Sequence, residues 1–188
     1  MTRLARALAA LLTVLALTGC GATAPGGTAA VVDGQAVPSA RYDLLVASAQ
    51  RHVESSGPQV DWESSRGRSQ LREIQAQALR LVVRGVVIER MASRTGVRVG
   101  DAELDQSIAS LETLAGGADQ FDQQLSVEGL TRPQYRTLLR ATLLDRALRA
   151  RDPRYDDHLA AALRAASVQA FVGPCAADHQ YPRCVDGK

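Results

Sequence analysis

Residues 69–96 read SQLREIQAQALRLVVRGVVIERMASRTG, and this stretch decides the fold. Apolar or small residues recur through it at helical spacing: Leu71, Ile74, Ala78, Leu81, Gly85, Ile88 and Ala92. A second stripe lies beside the first and consists of Leu79, Val82 and Val86. From Ala78 onward the helix is therefore apolar over more than half of its circumference and must be surrounded by other elements. Gly96 is placed to end it, so the stretch predicts a long central helix.

Gly85 lies inside the apolar part of this helix. A glycine in a helix costs about 1 kcal/mol relative to alanine. We therefore expect another helix to approach the central helix closely at this point.

Upstream of the central helix, two short apolar runs flank Asp33-Gly34 between Ala29 and Pro38. Asp-Gly is a strong signal for a two-residue hairpin turn, because both turn positions need positive φ. Ser39 is then placed to cap a first helix, whose inward positions are Tyr42, Leu45, Val46, Ala49 and Val53.

Downstream, the pattern predicts four more helices and a strand. A third helix opens at Asp101, with a buried face expected at Leu104, Ile108, Leu111 and Leu114. A short fourth helix holds Phe121 and Leu125, and a capping box formed by Thr131 and Gln134 starts the fifth. A sixth helix is predicted from Tyr155 to Ala166, followed by an alternating strand over Val168–Val172.

The first residues have the layout of a secretory signal: basic residues at Arg3 and Arg6, an apolar run over Ala7–Leu17, and a small-residue exit. Eleven helical residues rise roughly 16 Å, which is about half of a hydrocarbon core, so a permanent span is not expected. Leu17-Thr18-Gly19-Cys20 resembles the lipobox of bacterial lipoproteins. The resemblance implies a signal peptide over residues 1–19, a lipid on Cys20, and a flexible tether over residues 20–28. An ordinary cleaved signal beside a chance cysteine is the alternative.

The chain has 22 Lys and Arg against 20 Asp and Glu, and two of the arginines lie in the leader. The mature chain is then formally neutral, which gives no reason to expect a nucleic-acid partner. Lys188 is its single lysine, so no internal amine is present for Schiff-base chemistry.

With Cys20 lipidated, Cys175 and Cys184 remain as an even pair nine residues apart, and a disulfide closing the tail over residues 174–188 is the expected arrangement. His179 between them makes a Cys-x3-His-x4-Cys metal site conceivable, but the tail lacks a fourth ligand. We predict no metal and no cofactor.

Four segments in this order resemble the N-terminal chaperone domain of the SurA/PrsA type of foldase. They are Val32-Asp33-Gly34-Gln35, the long central helix, the junction from Thr95 to Leu104, and Gly129-Leu130-Thr131 leading into the fifth helix. The likeness covers roughly residues 30–150, within a domain expected over residues 29–173. Gly100 stands where the family usually has a serine or threonine cap.

The resemblance implies that the first and last strands pair. The expected fold is therefore mainly α, with about six helices around the long central helix. A small antiparallel sheet would be formed by the N-terminal hairpin and the C-terminal strand. A third strand would also stabilise the hairpin, which is marginal alone.

The resemblance further implies chaperone-like binding of unfolded or newly exported polypeptides. Most such foldases insert a parvulin-type prolyl isomerase domain before their last helix, but here Asp152-Pro153-Arg154 is the whole connection. We therefore expect no isomerase chemistry. We expect the protein to be lipid-anchored at the extracytoplasmic face of a cell membrane.

A chaperone needs an exposed apolar surface. Trp62 lies in a polar stretch, and Val83 and Val87 lie on the side of the central helix that also carries Arg80 and Arg84, so these three are the candidate client-binding residues. Burial under a neighbouring helix is the alternative.

An enzyme is the rival class, and its candidate carboxylates are Asp101, Glu103, Asp105, Asp156 and Asp157. All lie near helix starts, where acids complement the helix dipole, so we assign no catalytic residues. The remaining alternative is a structural or partner-binding envelope lipoprotein that keeps the fold without chaperone activity.

Overall fold

The computed structural model describes residues 26–57 and 59–186, and this part of the chain contains seven α-helices and three strands. The helices are α1 (Ser39–Ser56), α2 (Ser65–Thr95), α3 (Asp101–Ala115), α4 (Ala118–Val127), α5 (Arg132–Arg151), α6 (Tyr155–Ala165) and α7 (Arg183–Asp186). The strands are β1 (Thr28–Val32), β2 (Gln35–Pro38) and β3 (Val168–Ala170). The predicted fold class, mainly α with a small antiparallel sheet, is confirmed.

Helix α2 is the centre of the fold, because α1, α5, α6, β1 and the C-terminal tail all pack against it. Its start is capped by Ser64, whose Oγ accepts a hydrogen bond from the Gly67 N–H at 3.0 Å. Its end is closed by Gly96 at φ 68°, a left-handed conformation that glycine adopts without strain. The predicted end of the central helix at Gly96 is therefore confirmed.

The three strands form one antiparallel sheet in the order β2-β1-β3. Asp33 and Gly34 make the hairpin turn with φ values of 46° and 84°, as the sequence predicted. On the other edge of β1, Val32 is opposite Val168 and Ala30 is opposite Ala170. The pairing of the first and last strands, which the resemblance implied, is confirmed.

Asp33 joins this sheet to the rest of the domain. Its N–H donates to the Ser167 carbonyl at 2.7 Å, and its Oδ1 accepts from the Ser167 N–H at 2.6 Å. Its Oδ2 pairs with Arg90 of α2, whose Nη2 also donates to the Val32 carbonyl at 3.1 Å. One turn residue thus connects the hairpin, the entry to β3 and the central helix.

The predictions for Ser39 and Leu114 were wrong. Ser39 is the first residue of α1 and not its cap, because its N–H continues the sheet by donating to the Gly27 carbonyl at 2.7 Å. Leu114 was expected on the buried face of α3 but is 83% exposed, since no described element covers that side of the last turn of α3. Leu104 on the same helix is fully buried as predicted.

The C-terminal tail folds back onto α2 and the sheet. A disulfide joins Cys175, in the 3-10 turn Gly173–Cys175, to Cys184, with Cα atoms 5.1 Å apart. The Ala170 N–H donates to the His179 carbonyl at 3.3 Å, and Arg80 Nη1 donates to the Val185 carbonyl at 3.0 Å. Because Cys175 and Val185 are buried in the main core, the tail is a structural part of the domain.

Two buried tyrosines differ in how their hydroxyl groups are satisfied. Tyr42 of α1 is 5% exposed, and its hydroxyl has no hydrogen-bond partner in the described part of the chain. Tyr155 of α6 is 1% exposed and donates to Asp145 Oδ1 of α5 at 2.6 Å. Burial raises the pKa of Tyr42 to about 12, with a smaller contribution from the Asp43 charge.

We predict that replacing both Cys175 and Cys184 by serine lowers the free energy of unfolding by about 2–3 kcal/mol, the chain-entropy value for a loop of about ten residues. Denaturant unfolding measures the loss, and Cys20→Ser is the cysteine control without effect. Mass measurement before and after reduction should show that the untreated chain lacks two hydrogens. Free reaction of both thiols in the untreated protein would contradict the disulfide.

We predict opposite effects for the two tyrosines at neutral pH. Tyr42→Phe removes a buried hydroxyl without a partner, so its unfolding free energy should stay equal or rise by about 1 kcal/mol. Tyr155→Phe removes a hydrogen bond to a carboxylate and should cost about 1.5–3 kcal/mol. Urea unfolding measures both, and equal losses would contradict the difference.

A second prediction for Tyr42→Phe concerns its stability at alkaline pH. The raised pKa of Tyr42 means that the fold favours its neutral form, so this contribution is complete below pH 10 and is lost as pH rises toward 12. Tyr42→Phe should therefore lose less stability than the parent chain between pH 10 and 12, measured by urea unfolding at each pH. Parallel losses would show that Tyr42 does not titrate as stated.

Candidate functional site

An open apolar groove lies where α1 and α5 each pack on α2. It has a volume of about 320 Å³. Its apolar lining comes from all three helices and consists of Leu45, Leu81, Ile88, Leu138 and Ala141. Leu81 is 47% exposed, which is unusual for a leucine on a central helix. We call this feature the α1–α5 groove.

Gly85 leaves room for a side chain of α1 at the floor of this groove. A Cβ atom at Gly85 would overlap Nη2 of Arg41, so the absence of a side chain lets the Arg41 guanidinium cross over α2. Arg41 Nη1 then donates to Glu89 Oε1 at 3.0 Å. The close approach predicted at Gly85 is thus made by an arginine side chain of the neighbouring helix.

The opposite rim carries a second ion pair, between Arg84 Nη2 and Asp145 Oδ1 at 2.8 Å. Asp145 Oδ1 also accepts a hydrogen bond from the Tyr155 hydroxyl, and Asp145 Oδ2 lies 3.6 Å from Arg149 Nη2. Burial, followed by the hydrogen bond to Asp145, raises the pKa of Tyr155 well above its usual range, so this donor keeps its proton at physiological pH. The charged groups at the rim are therefore paired with each other in ion pairs. The apolar floor is the part that is open to a partner.

The three residues predicted to bind clients are not brought together. Val83 is fully buried and Val87 is 4% exposed, so both belong to the core and the alternative of burial is correct for them. The tail, the sheet and α6 pack on α2, and together with α1 and α5 they cover α2 on more sides than one apolar stripe would require. Trp62 lies in the connection between α1 and α2, half-buried, with Nε1 donating to Glu54 Oε1 at 2.8 Å.

The sequence prediction missed that Leu81 lines an open groove, because its helical spacing assigned it to the core. Leu81 is at the edge of the apolar surface of α2, where only the positions of α1 and α5 decide whether a side chain is covered. The sequence signal that pointed nearest to the groove was Gly85.

Three of the five candidate carboxylates belong to ion pairs between helices. Asp101 Oδ1 lies 3.1 Å from Arg136 Nη2 and 2.9 Å from Arg140 Nη2, and these hydrogen bonds, that of Arg136 first, lower the pKa of Asp101. Asp105 also pairs with Arg136, and Asp156 lies 2.5 Å from Arg149. These pairs join α3 to α5 and α5 to α6. In the part of the chain that the structure describes, no three His, Cys, Asp or Glu side chains form a group able to hold a metal ion.

The leader and Cys20 lie outside the described residues. None of the helices in the described ranges combines the length and the apolar composition that a membrane span requires.

The chain is similar to known proteins over most of its length. A family model described as the SurA-like N-terminal domain matches residues 3–149. The protein Chaperone SurA of Pectobacterium atrosepticum is 29% identical over 117 residues, which is 62% of this chain and 25% of that protein. The chain thus matches about a quarter of that relative. Since the family model covers well over half of the sequence, the chain belongs to the SurA-like N-terminal domain family.

Proposed function

We propose that this protein is a lipid-anchored, extracytoplasmic, chaperone-like binder of unfolded or newly exported polypeptides, without prolyl isomerase chemistry. The observation that carries the proposal is the α1–α5 groove, whose apolar floor is open while its rim charges are paired internally. Membership of a family related to Chaperone SurA supports the same function.

The groove suits segments of varied sequence. Leu45, Leu81 and Leu138 offer aliphatic contacts that need no particular partner geometry. The paired rim groups leave no unsatisfied charge that would demand a specific polar side chain. Each large apolar client side chain buried contributes roughly 1.5–3 kcal/mol, from which the cost of ordering the segment is subtracted. Weak and reversible binding follows, as a protein that holds and releases clients requires.

The connection between α5 and α6 supports the absence of isomerase chemistry. Helix α5 ends at Arg151 and α6 begins at Tyr155, so three residues join them and no domain is inserted there. His52, His158 and His179 lie on three separate elements, α1, α6 and the tail. His158 Nδ1 of α6 is 2.5 Å from Oδ2 of Asp152, which lies in the connection before that helix. This contact stabilises the turn between α5 and α6.

The anchor is proposed from the sequence alone. The lipobox-like Leu17-Thr18-Gly19-Cys20 follows a basic and then an apolar segment, the order in which lipoprotein signals are arranged. A thiol is the side chain suited to take up a diacylglyceryl group. Two or more acyl chains would hold the protein stably at the membrane.

We predict that Leu81→Ser weakens binding of an uncharged, leucine-containing peptide by about tenfold, since it removes part of the apolar contact in the groove. Fluorescence anisotropy measures binding, and delayed aggregation of an unfolding client gives a second readout. Leu114→Ser is the matched control for binding of this uncharged peptide only, because it makes the same change at an exposed leucine that does not line the groove. Thermal unfolding should show that both variants are folded.

Unchanged binding by Leu81→Ser would contradict the groove as the client site. Failure of the parent chain to delay aggregation of several clients, together with one stoichiometric partner in a pull-down, would favour the structural lipoprotein instead. Faster cis–trans isomerisation of a proline peptide would contradict the absence of isomerase chemistry.

We predict that Cys20→Ser moves the protein from the membrane fraction to the soluble fraction of a bacterial host. The parent chain should also gain the mass of its acyl groups, as measured by mass spectrometry after detergent extraction. The double replacement of Cys175 and Cys184 by serine is the control, because it removes the other cysteines and should stay in the membrane fraction. Membrane retention of Cys20→Ser would contradict the anchor.

A further inference from the structure

A second apolar surface lies where α3 and α4 meet the start of α5. It surrounds a concavity of about 530 Å³, lined by Leu111, Leu114, Phe121, Val127, Leu130 and Tyr135. Leu114 is 83% exposed and Val127 is 57% exposed, whereas Phe121 beneath them is 5% exposed. We call this the α3–α4 surface. It is distinct from the α1–α5 groove and shares no lining residue with it.

The segment that forms this surface has an uneven charge. Residues 101–131 contain no lysine, arginine or histidine and seven acids: Asp101, Glu103, Asp105, Glu112, Asp119, Asp122 and Glu128. The whole chain, in contrast, is close to neutral, with 22 basic and 20 acidic residues. Negative charge is therefore concentrated in the segment that carries the most exposed leucine of the described chain.

The arginines of α5 offset only part of this charge. Arg132 forms ion pairs with both Glu112 and Asp122, the latter with Nε and Oδ1 2.6 Å apart. Arg136 pairs with Asp101 and Asp105, and Arg140 pairs with Asp101. Three guanidinium groups thus face four carboxylates, on the side of the segment that packs on α5.

The other three acids have no guanidinium partner within the described residues. Glu103 and Asp119 form no ion pair there. Glu128 lines the concavity, and its carboxylate lies 3.6 Å from the imidazole of His52. The Arg51 guanidinium donates to the Glu128 carbonyl at 3.0 Å, so seven acids stand against four guanidinium groups in and around the segment. The α1–α5 groove differs in this respect, because Arg41 is paired with Glu89 and Arg84 with Asp145. The rim of the α1–α5 groove is thus electrically balanced, whereas the segment that carries the α3–α4 surface has more acids than the arginines in contact with it.

We propose that the α3–α4 surface binds polypeptide segments in which apolar side chains are flanked by lysine or arginine. The apolar side chains would enter the concavity beside Leu114, and the flanking cations would be drawn by Asp119 and Glu128. This inference rests on the proposed function and gives the chain a second binding surface with its own client class. A second copy of the chain would bring a like-charged surface to this one, and an anionic membrane would be repelled.

The test uses the purified full chain and two labelled peptides with the same apolar core, one flanked by lysines and one by glutamates. The lysine peptide should bind several-fold more tightly, and this preference should shrink between about 50 and 300 mM salt as the charges are screened. Leu114→Ser should weaken its binding by about tenfold, whereas Leu81→Ser should leave the preference intact.

The double variant Asp119→Asn with Glu128→Gln keeps the shape of the surface and removes two negative charges, so the preference for the lysine peptide should fall. Equal affinity for both peptides, or an unchanged affinity in Leu114→Ser, would overturn the proposal. Self-association of the parent chain that Leu114→Ser abolishes, seen by sedimentation, would also overturn it in favour of a second copy. The uncharged peptide tests the groove separately, so failure of the proposed function is recognised on its own.

Discussion

The burial of α2 is the constraint on which the rest of the structure depends. A helix of 31 residues whose later part is apolar on most of its circumference is stable only if neighbours cover several sides at once. Helices α1, α5 and α6, strand β1 and the tail supply this cover. The cover is incomplete between α1 and α5, because the two helices meet α2 on either side of Leu81. The groove is therefore a consequence of how the central helix is enclosed.

The enclosure also requires that the two ends of the domain meet. Strand β1 packs on α2 and pairs with β3 from the far end of the chain, and Asp33 links both to Arg90 of the central helix. The tail continues this arrangement, since Arg80 binds the Val185 carbonyl. The residues that line the groove are thus held in a domain closed at both ends.

Much of this fold could be predicted from local chemistry. The Asp33-Gly34 turn, the Gly96 stop and the Thr131–Gln134 capping box depend on neighbouring residues only, and all three are present. The site could not be predicted in the same way. Whether Val83 is buried and Leu81 exposed depends on where other helices contact α2, and helical spacing does not contain that information. The predicted burial of Leu114 was wrong for the same reason, because its exposure depends on where α3 ends relative to its neighbours.

Helix α5 connects the two apolar surfaces. Leu138, Ala141 and Asp145 face the α1–α5 groove, while Arg132, Tyr135 and Arg136 lie against the α3–α4 segment. Tyr135 and Leu138 are three residues apart, a rise of about 4.5 Å along the helix, so a shift of α5 moves the walls of both surfaces together. The charges divide along the same helix, because the arginines of its first half face the acids of α3 and α4 while Asp145 of its second half is paired with Arg84. A change in α5 therefore acts on both surfaces, whereas Leu81 and Leu114 each belong to one.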